Sequence, residues 1–292
     1  MEHQLWKVIL TVLKTIDKPR RRTIEMFSCE DILRVWFWAV LHDRPVSWAT
    51  QHVNWPLHER RRRLPSSSTM SRRLRTPEVQ ALLVAVEKAT CRSRGVQPFV
   101  WIIDGKPLTI GGASKDRQAG YGRASRGKAK GYKLHLIQGI DGSVAAWRIA
   151  PMNKDERVMA RRMVRCAAIQ GYLLADGNYD SNPLHELCRH RELQLLAPLR
   201  GGPNRPNRRK RQDPGRKRSQ ELLENPLDDF GRALHDHRNA IERSLANLTN
   251  WGGGLTHLPP WIRTHRRVHR WVQAKLILNA IKRCTNPTYV AA

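Results

Sequence analysis

The chain has 292 residues, which is long enough for a catalytic domain of ordinary size and a smaller companion. Its 53 Lys and Arg residues against 25 Asp and Glu give a formal net charge of +28, and 40% of the residues are hydrophobic. These values favour a folded protein that binds a polyanion, usually nucleic acid, because basic side chains neutralise phosphates and release their counterions. No segment reaches about eighteen uninterrupted apolar residues, which excludes a membrane-spanning helix.

Residues 1–95 are predicted to form an all-helical domain. Ser28 followed by Asp31 is typical of a capped helix start, and the apolar run Ile32–Leu41 comes directly after it. Pro45 ends this helix, because proline cannot donate the next backbone hydrogen bond.

Two short helices are predicted next, one over residues 46–53 and one capped by Ser66–Ser68. The second carries Arg72 and Arg73. A polar, arginine-bearing second helix suggests a helix-turn-helix DNA reader in which these arginines contact DNA. A helical bundle with a solvated basic face is the alternative.

After the helical domain the pattern changes to short β-strands. The run Pro98–Ile103 is apolar, β-branched and aromatic and stops before Asp104, which predicts a buried strand. Two further strands, over residues 133–140 and 143–149, flank Asp141-Gly142, a dipeptide favoured in tight hairpin turns.

Helices and strands alternate in the following segment, where Asn153 and Glu156 form a plausible capping pair. The predicted elements are a helix over 154–170, a strand over 172–175 that stops before Asp176, a helix over 182–191 and a strand over 193–199. Residues 200–220 form a basic insert, predicted to be a mobile loop or a disordered insert. Two helices, over 228–250 and 266–282, close the chain.

The five cysteines are scattered and include no C-x-x-C pair. Because their number is odd, at least one is unpaired, and we expect free thiols of a cytosolic protein and no zinc site. The amino-terminal MEHQLWKVILTVLK is too short for a membrane span and has no small-residue cleavage site. We therefore expect a soluble protein that stays where it is made.

The order of predicted elements fits an α/β fold with a ribonuclease-H-like mixed sheet flanked by helices, with strand order 3-2-1-4-5. In this order the fourth strand lies parallel beside the first, and a crevice forms beyond their carboxyl ends. Asp104 and Asp176 would then face each other across that crevice.

A third acidic residue lies on the long helix near the end of the chain. Arg238 and Glu242 are four residues apart and hence on one helical face, with His235 close to the same stripe. An adjacent apolar stripe that can pack on the sheet contains Leu234, Ile241, Leu245 and Leu248. A helix packed in this way can project Glu242 toward the two aspartates, while Arg238 contacts a phosphate or steadies the glutamate.

From about Phe99 to Arg283 the chain resembles the DDE transposases of bacterial insertion sequences. The matching motifs are IIDGKPL around Asp104, LLADGNYDS around Asp176, RNAIERSLANLTN around Glu242, and the closing helix RTHRRVHRWVQAKLILNAIK. Each motif alone is weak, but the ADGNYDS and R-x-x-x-E elements in this order are specific together.

The resemblance implies a ribonuclease-H-like catalytic domain over residues 96–284, which leaves the helical segment 1–95 as the expected DNA-binding domain and 285–292 as a short tail. It implies that Asp104, Asp176 and Glu242 hold two Mg²⁺ or Mn²⁺ ions that cut and rejoin phosphodiester bonds. The implied partners are double-stranded DNA, at element ends and target, and further copies of the chain, with no membrane. The implied location is the bacterial cytoplasm, in association with the nucleoid.

The family often surrounds its glutamate with Y-x-x-R-x-x-x-E-x-x-x-x-x-x-K. This chain keeps Arg238 and Glu242 but has His235 in place of the tyrosine and Thr249 in place of the lysine. We expect Arg238 and His235 to contact DNA phosphates. Lys130, in a glycine-rich basic stretch, is also expected to contact DNA, although a solvated loop is the alternative there.

Simpler interpretations exist for the acidic residues and for the function. Asp104 and Asp176 each precede glycine, as turn residues often do, and for Asp141 the hairpin turn is the favoured interpretation. Asp180 is expected to cap the following helix. Besides a transposase, two functions stay open: a DNA-binding protein that derives from a transposase but no longer cuts, and a metal-dependent nuclease without strand transfer.

Overall fold

The residues that the structure, a computed structural model, describes are 2–16, 26–93, 95–124, 127–200, 212–250, 255 and 257–285. They divide into two units. The helical unit contains the described parts of Met1–Arg92, Asn247–Leu255 and Arg270–Ala292, and the sheet unit those of Ser93–Ala246 and Thr256–His269. The expected domains, 1–95 and 96–284, are continuous, whereas the helical unit also includes segments of the last two helices.

Five helices come from the first part of the chain. They are α1 (Glu2–Thr15), α2 (Cys29–Leu41), α3 (Val46–Ala49), α4 (Ser67–Arg73) and α5 (Pro77–Cys91), with 3-10 turns at His52–Asn54 and Leu57–Glu59. The predicted start of α2 is confirmed: Ser28 Oγ accepts from the Asp31 amide, and the Asp31 carboxylate accepts from the Ser28 amide at 3.0 Å. This reciprocal pair satisfies two amides that a helix start otherwise leaves without partners.

Tryptophans form the centre of the helical unit. The rings of Trp38 and Trp55 stack with centroids 4.8 Å apart, and Trp6 contacts both edge-on. The Arg34 guanidinium lies 5.8 Å from the Trp6 ring centroid and pairs with Glu59 at 2.5 Å. Each buried aromatic side chain removes a large apolar area from water, about 150–250 Å².

Lys275 is buried in the helical unit rather than exposed to solvent. Its ammonium group donates to the Val40 carbonyl at 3.0 Å and to the Asp43 carboxylate at 2.5 Å. Burial lowers the pKa of Lys275 to about 8, although the Asp43 carboxylate opposes the shift. This lysine therefore acts as a packing and pairing residue of the helices.

Lys275 should make the folded protein more stable as the pH rises from about 8 to about 10. The unfolded chain keeps an ordinary lysine pKa near 10.4 and so binds more protons than the folded protein in this window, which raises the free energy of unfolding. We expect the wild type to gain up to about 3 kcal/mol relative to Lys275→Met between these pH values. Urea unfolding of both proteins at about pH 7 and about pH 10 measures this, and parallel pH profiles would contradict it.

The sheet unit is built on six strands. They are β1 (Val100–Thr109), β2 (Gly120–Ala124), β3 (Gly127–Gly139), β4 (Val144–Pro151), β5 (Gly171–Leu174) and β6 (Leu193–Leu196). Strand β3 pairs antiparallel with β1, and also with β2 along its first half and β4 along its second half. Strands β1, β5 and β6 are parallel neighbours. Without β2, the order β4-β3-β1-β5-β6 is the predicted 3-2-1-4-5 order of a ribonuclease-H-like sheet.

Six helices accompany these strands or follow them. They are α6 (Glu156–Cys166), α7 (Asn182–Arg189), α8 (Pro214–Glu224), α9 (Phe230–Asp236), α10 (Asn239–Asn250) and α11 (His265–Thr285). The core on one face of the sheet joins Trp101, Ile103 and Ile137 to Met163 of α6 and Leu184 of α7. Each such side chain contributes about 1.5–3 kcal/mol when fully buried. In the part of the chain that the structure describes, no helix is long and apolar enough to cross a membrane.

Strand β1 continues past Asp104, where the sequence predicted its end. The Ile110 amide donates to the Lys130 carbonyl at 2.9 Å, so the even-numbered amides of β1 face β3. The odd-numbered amides point to the opposite side of β1, which extends beyond the end of β5. Pro107 has no amide hydrogen and fits there because no strand hydrogen bond is needed at its position. The Asp-Gly dipeptide was interpreted as a stop, but the long partner strand β3 keeps β1 extended.

Two further elements differ from the predictions. The glycine-rich stretch, in which no strand is predicted and a solvated loop is the alternative to DNA contact, contains β2, and the predicted helix over 228–250 is divided into α9 and α10. At the division, His237 and Arg238 donate to carbonyls three residues earlier, which tightens the chain into a 3-10 turn. Within the basic insert, α8 begins at Pro214, while residues 201–211 lie outside the described residues, so the mobile loop stays a prediction.

Candidate active site

Asp104 and Asp176 line one cavity at the end of the parallel strands. The last residue pair between β1 and β5 is Ile102 with Leu174. Asp104 follows two residues after Ile102, and Asp176 follows two residues after Leu174. The cavity has a volume of about 520 Å³, and Arg200 also lines it. The fold thus places the two acids together as the predicted strand order required, although Asp104 lies within its strand.

Asp104 has an unusual electrostatic environment. Burial, together with the negative charges of Asp176 and Glu156, raises the pKa of Asp104 to about 6, although the Gly105 amide and the Arg238 guanidinium oppose the shift. The Gly105 amide donates to Asp104 Oδ1 at 2.7 Å. Two carboxylates that repel each other in a cavity favour the binding of a positive charge between them.

Asp176 is held by the turn that follows β5. The Asn178 amide donates to Asp176 Oδ1 at 2.8 Å, and the Asn178 side-chain amide donates to Oδ2 at 3.2 Å. Asn178 also lines the cavity. This Asx-type turn fixes the carboxylate at the strand end.

His235 anchors helix α9 beside this strand end. Its Nε2 lies 3.0 Å from the carbonyl oxygen of Ala175, the residue before Asp176. Because a carbonyl only accepts, Nε2 carries the proton and donates here. The residue expected to contact DNA phosphate therefore contacts the backbone beside the candidate site.

Glu242 does not line the cavity. Its side chain is 57% exposed and pairs with Arg238 Nη1 at 3.0 Å. The Arg238 charge is also among the causes that act on the pKa of Asp104. Arg238 therefore interacts electrostatically with both Glu242 and Asp104. Among the described residues, no three His, Cys, Asp or Glu side chains form a group able to hold a metal ion.

Glu156 is a cavity residue whose position the sequence did not predict. It begins α6, pairs with Lys133 and lines the cavity together with that lysine. The sequence predicted Glu156 as the partner of an Asn153 cap, but Asp155 caps α6, and its Oδ1 accepts from the Arg157 amide at 2.8 Å. The only sequence signal was an acidic pair placed after the end of a strand.

Tyr179 lies buried beneath the same residues. Its hydroxyl has no hydrogen-bond partner among the described residues, and burial, followed by the charges of Glu156, Asp104 and Asp176, raises its pKa. The Tyr179 ring packs in the hydrophobic core, and because buried polar groups are nearly always hydrogen-bonded, its hydroxyl beside the carboxylates is a group that a polar ligand of the cavity could satisfy. The oxygen donors of Asp104 and Asp176 match the hard ligands that Mg²⁺ and Mn²⁺ bind.

The remaining predicted DNA-contact residues have different surroundings. Lys130 Nζ donates to the Ser114 carbonyl at 2.7 Å and keeps two further protons for other partners. Arg72 is exposed on α4, whereas Arg73 is only 7% exposed and donates to Cys29 Sγ at 3.7 Å. Arg73 can therefore reach DNA only if α4 rearranges.

The expected pair of adjacent short helices is not seen between α3 and α4. Residues 50–66, with two 3-10 turns, separate these helices. The short turn that a helix-turn-helix requires instead joins α4 to α5, over residues 74–76.

Comparison with known proteins gives a family and a structural likeness. Residues 98–279 match the family described as "Transposase DDE domain". No curated protein matches significantly. A solved piggyBac transposase, in a synaptic complex with hairpin DNA, is 10% identical, with 96% of this chain and 70% of that chain covered and a TM-score of 0.42. Because the family match spans more than half of the chain and includes both cavity aspartates, the chain belongs to the family of transposase DDE domains.

Proposed function

We propose that the protein is a transposase that binds the ends of an insertion element, cleaves DNA phosphodiester bonds and joins the 3′-hydroxyl ends to target DNA. The observation that carries the proposal is the meeting of Asp104 and Asp176 in one cavity of a DDE-family chain. The net charge of +28 supports double-stranded DNA as the partner. Action as a homo-oligomer on paired ends belongs to the same proposal.

In this function Asp104 and Asp176, joined by Glu242, would hold two Mg²⁺ or Mn²⁺ ions. Bound ions of this kind activate a water or a 3′-hydroxyl and stabilise the leaving oxygen. The chain itself supplies the carboxylates and the cations that line the cavity, which are Arg123, Lys133, Lys154, Arg157 and Arg200. These cations attract the DNA phosphate to the aspartates.

Exchange of the Arg238 ion-pair partner would allow Glu242 to move toward the aspartates. The guanidinium pairs with Glu242 in the free protein, and a DNA phosphate can take its place as partner, because arginine binds phosphate in the same forked geometry. The glutamate is then released and can turn toward Asp104. Arg238 would thus couple DNA binding to completion of the acidic triad.

Glu242→Gln should reduce metal-dependent cleavage at least about a hundredfold, the scale for losing one electrostatic contact in an active site. Binding to element ends should be unchanged, because the neutral amide leaves Arg238 free for phosphate. Cleavage of labelled end fragments and their binding by gel shift measure both effects. Glu221→Gln, an exposed glutamate of α8, is the control. Full activity of Glu242→Gln would remove Glu242 from the site.

The position of Glu242 outside the cavity favours a second candidate, a DNA-binding protein that no longer cuts. One experiment separates the functions: the protein is incubated with end sequences taken from inverted repeats that flank its gene, with Mg²⁺ and a target plasmid. Joined products indicate transposition, cleavage alone indicates a nuclease, and binding alone indicates the second candidate.

A further inference from the structure

A basic, aromatic surface lies on the hairpin formed by β2 and the first residues of β3, which we call the β2–β3 ribbon. Tyr121 pairs with Lys130, and Arg123 pairs with Lys128. Residues directly opposite each other in an antiparallel pair point to the same face. Tyr121 is 55% exposed and Arg123 is exposed, so one outer face presents an aromatic ring and three cations.

Glycines hold the other face of the ribbon against the sheet unit. A Cβ at Gly120 would lie 2.3 Å from Asn153 Oδ1, and one at Gly122 would lie 2.5 Å from the Met152 carbonyl oxygen. Any side chain at these positions would push the ribbon away from its support. The outer face therefore has a fixed orientation, and this close packing explains the glycines of the segment.

Among the described residues, the cations of the ribbon have no acidic partner. The ammonium groups of Lys128 and Lys130 lie 6.0 and 5.9 Å from the Tyr121 ring centroid. In the stretches of chain that the structure describes, neither lysine nor Arg123 forms an ion pair with a carboxylate. Like charges gathered without counterions attract a polyanion.

The ribbon also borders the candidate active site. Arg123 and Ala124 line the same cavity as Asp104 and Asp176. A DNA strand that brings a phosphate to the aspartates therefore passes the ribbon.

We propose that the β2–β3 ribbon grips the DNA strand next to the cleaved bond, with an unpaired base stacked on Tyr121 and phosphates on Arg123 and Lys128. An unpaired base is required because bases inside a duplex have both faces stacked, whereas a splayed base offers a face to an aromatic ring. The proposal rests on the proposed function, since it names the form of DNA that the same site takes.

Binding of single and double strands by the full-length protein tests the stacking. The probes are a fluorescein-labelled single strand of about 16 nucleotides, within the site sizes of single-strand binders, and the duplex of the same sequence. Binding is measured by anisotropy in EDTA, so that no cleavage occurs. Tyr121→Ala should weaken single-strand binding about 5- to 150-fold, the range for removing one base stack, and weaken duplex binding far less. Tyr121→Phe, which keeps the ring, should bind like the wild type.

The salt dependence of DNA affinity distinguishes the contribution of the Tyr121 ring from that of the cations. Each lost phosphate contact should flatten the slope of log affinity against log salt concentration by about 0.7 for a single strand. Arg123→Gln and Lys128→Gln should each flatten this slope, whereas Tyr121→Ala should lower the affinity at every salt concentration without changing the slope. Arg165→Gln, an exposed arginine of α6, is the matched control, and thermal melting checks the fold of each variant.

Three results would overturn the proposal: wild-type affinity of Tyr121→Ala, equal losses for single strand and duplex, or an altered oligomeric state with unchanged DNA binding. The last result would make the ribbon a protein contact. The binding assay needs no cleavage. If the wild type and its variants bind single strands as expected but the protein never cuts DNA, the proposed function alone is wrong. If the Tyr121→Ala variant cuts and binds DNA like the wild type, this inference alone is wrong.

Discussion

Asp104→Asn is expected to reduce metal-dependent DNA cleavage at least about a hundredfold while leaving the metal-free protein no less stable than the wild type. The carboxylate of Asp104 is desolvated and repelled by Asp176 and Glu156, which is why its pKa is raised to about 6. An amide of the same shape removes that repulsion. It also removes a hard anionic ligand, so a divalent cation is held less firmly.

The matched control for this variant is Asp141→Asn. Asp141 also precedes a glycine, but it lies in the β3–β4 turn, where its Oδ1 accepts from the Ser143 amide at 2.9 Å. Asparagine can make the same turn contact, so cleavage should be unchanged. Cleavage rates in Mg²⁺ and melting temperatures in EDTA are measured for both variants. Normal cleavage by Asp104→Asn, or loss of cleavage in Asp141→Asn, would contradict the assignment of Asp104.

The sheet and the meeting of the two aspartates could be predicted because both depend on local patterns. The apolar strand runs and the Asp141-Gly142 turn specify β1, β3 and β4, and the predicted strand order then brings Asp104 beside Asp176. Such information lies within a few residues of each element. That these aspartates are catalytic, with Glu242, stays a prediction.

The other residues around the cavity could not be predicted, because distant segments bring them there. Glu156 enters the cavity through its ion pair with Lys133, which is twenty-three positions earlier in the chain. The break between α9 and α10 accompanies a contact from His235 to the Ala175 carbonyl, sixty positions away. Helical periodicity over 228–250 favours one long helix, and a tertiary contact overrides this local preference.

Asp180→Asn should lower the free energy of unfolding by about 3–5 kcal/mol, the cost of leaving a buried charge without its partner. The Asp180 side chain is 1% exposed and accepts from Arg216 Nε and Nη2 at 2.7 and 2.6 Å. It also accepts from the Arg200 amide at 3.1 Å. Asp180 was expected to cap α7, but Ser181 is the residue at that position, so the carboxylate instead joins α8 to the chain before the basic insert.

The pH dependence of this cluster has a definite sign. Burial alone would raise the pKa of Asp180, but His185, Arg216 and the Arg200 amide outweigh it and hold the pKa well below its ordinary value. The stabilisation is therefore complete above an unfolded pKa of about 3.9 and is lost as the pH falls below it. The difference between wild type and Asp180→Asn should accordingly shrink in acid.

Asp155→Asn is the control for Asp180→Asn, because Asp155 also pairs with an arginine, Arg157, but at a largely solvated helix start. Exposed pairs contribute about 1 kcal/mol or less, and asparagine caps a helix as well as aspartate does. Urea unfolding near neutral pH should therefore show a large loss for one variant and a small one for the other. Equal small losses of unfolding free energy in the two variants would mean that water replaces the Asp180 carboxylate as the hydrogen-bond partner of Arg216. In that case the Asp180 carboxylate would not be what holds α8 against the rest of the sheet unit, and the two ends of the basic insert would be positioned by other contacts.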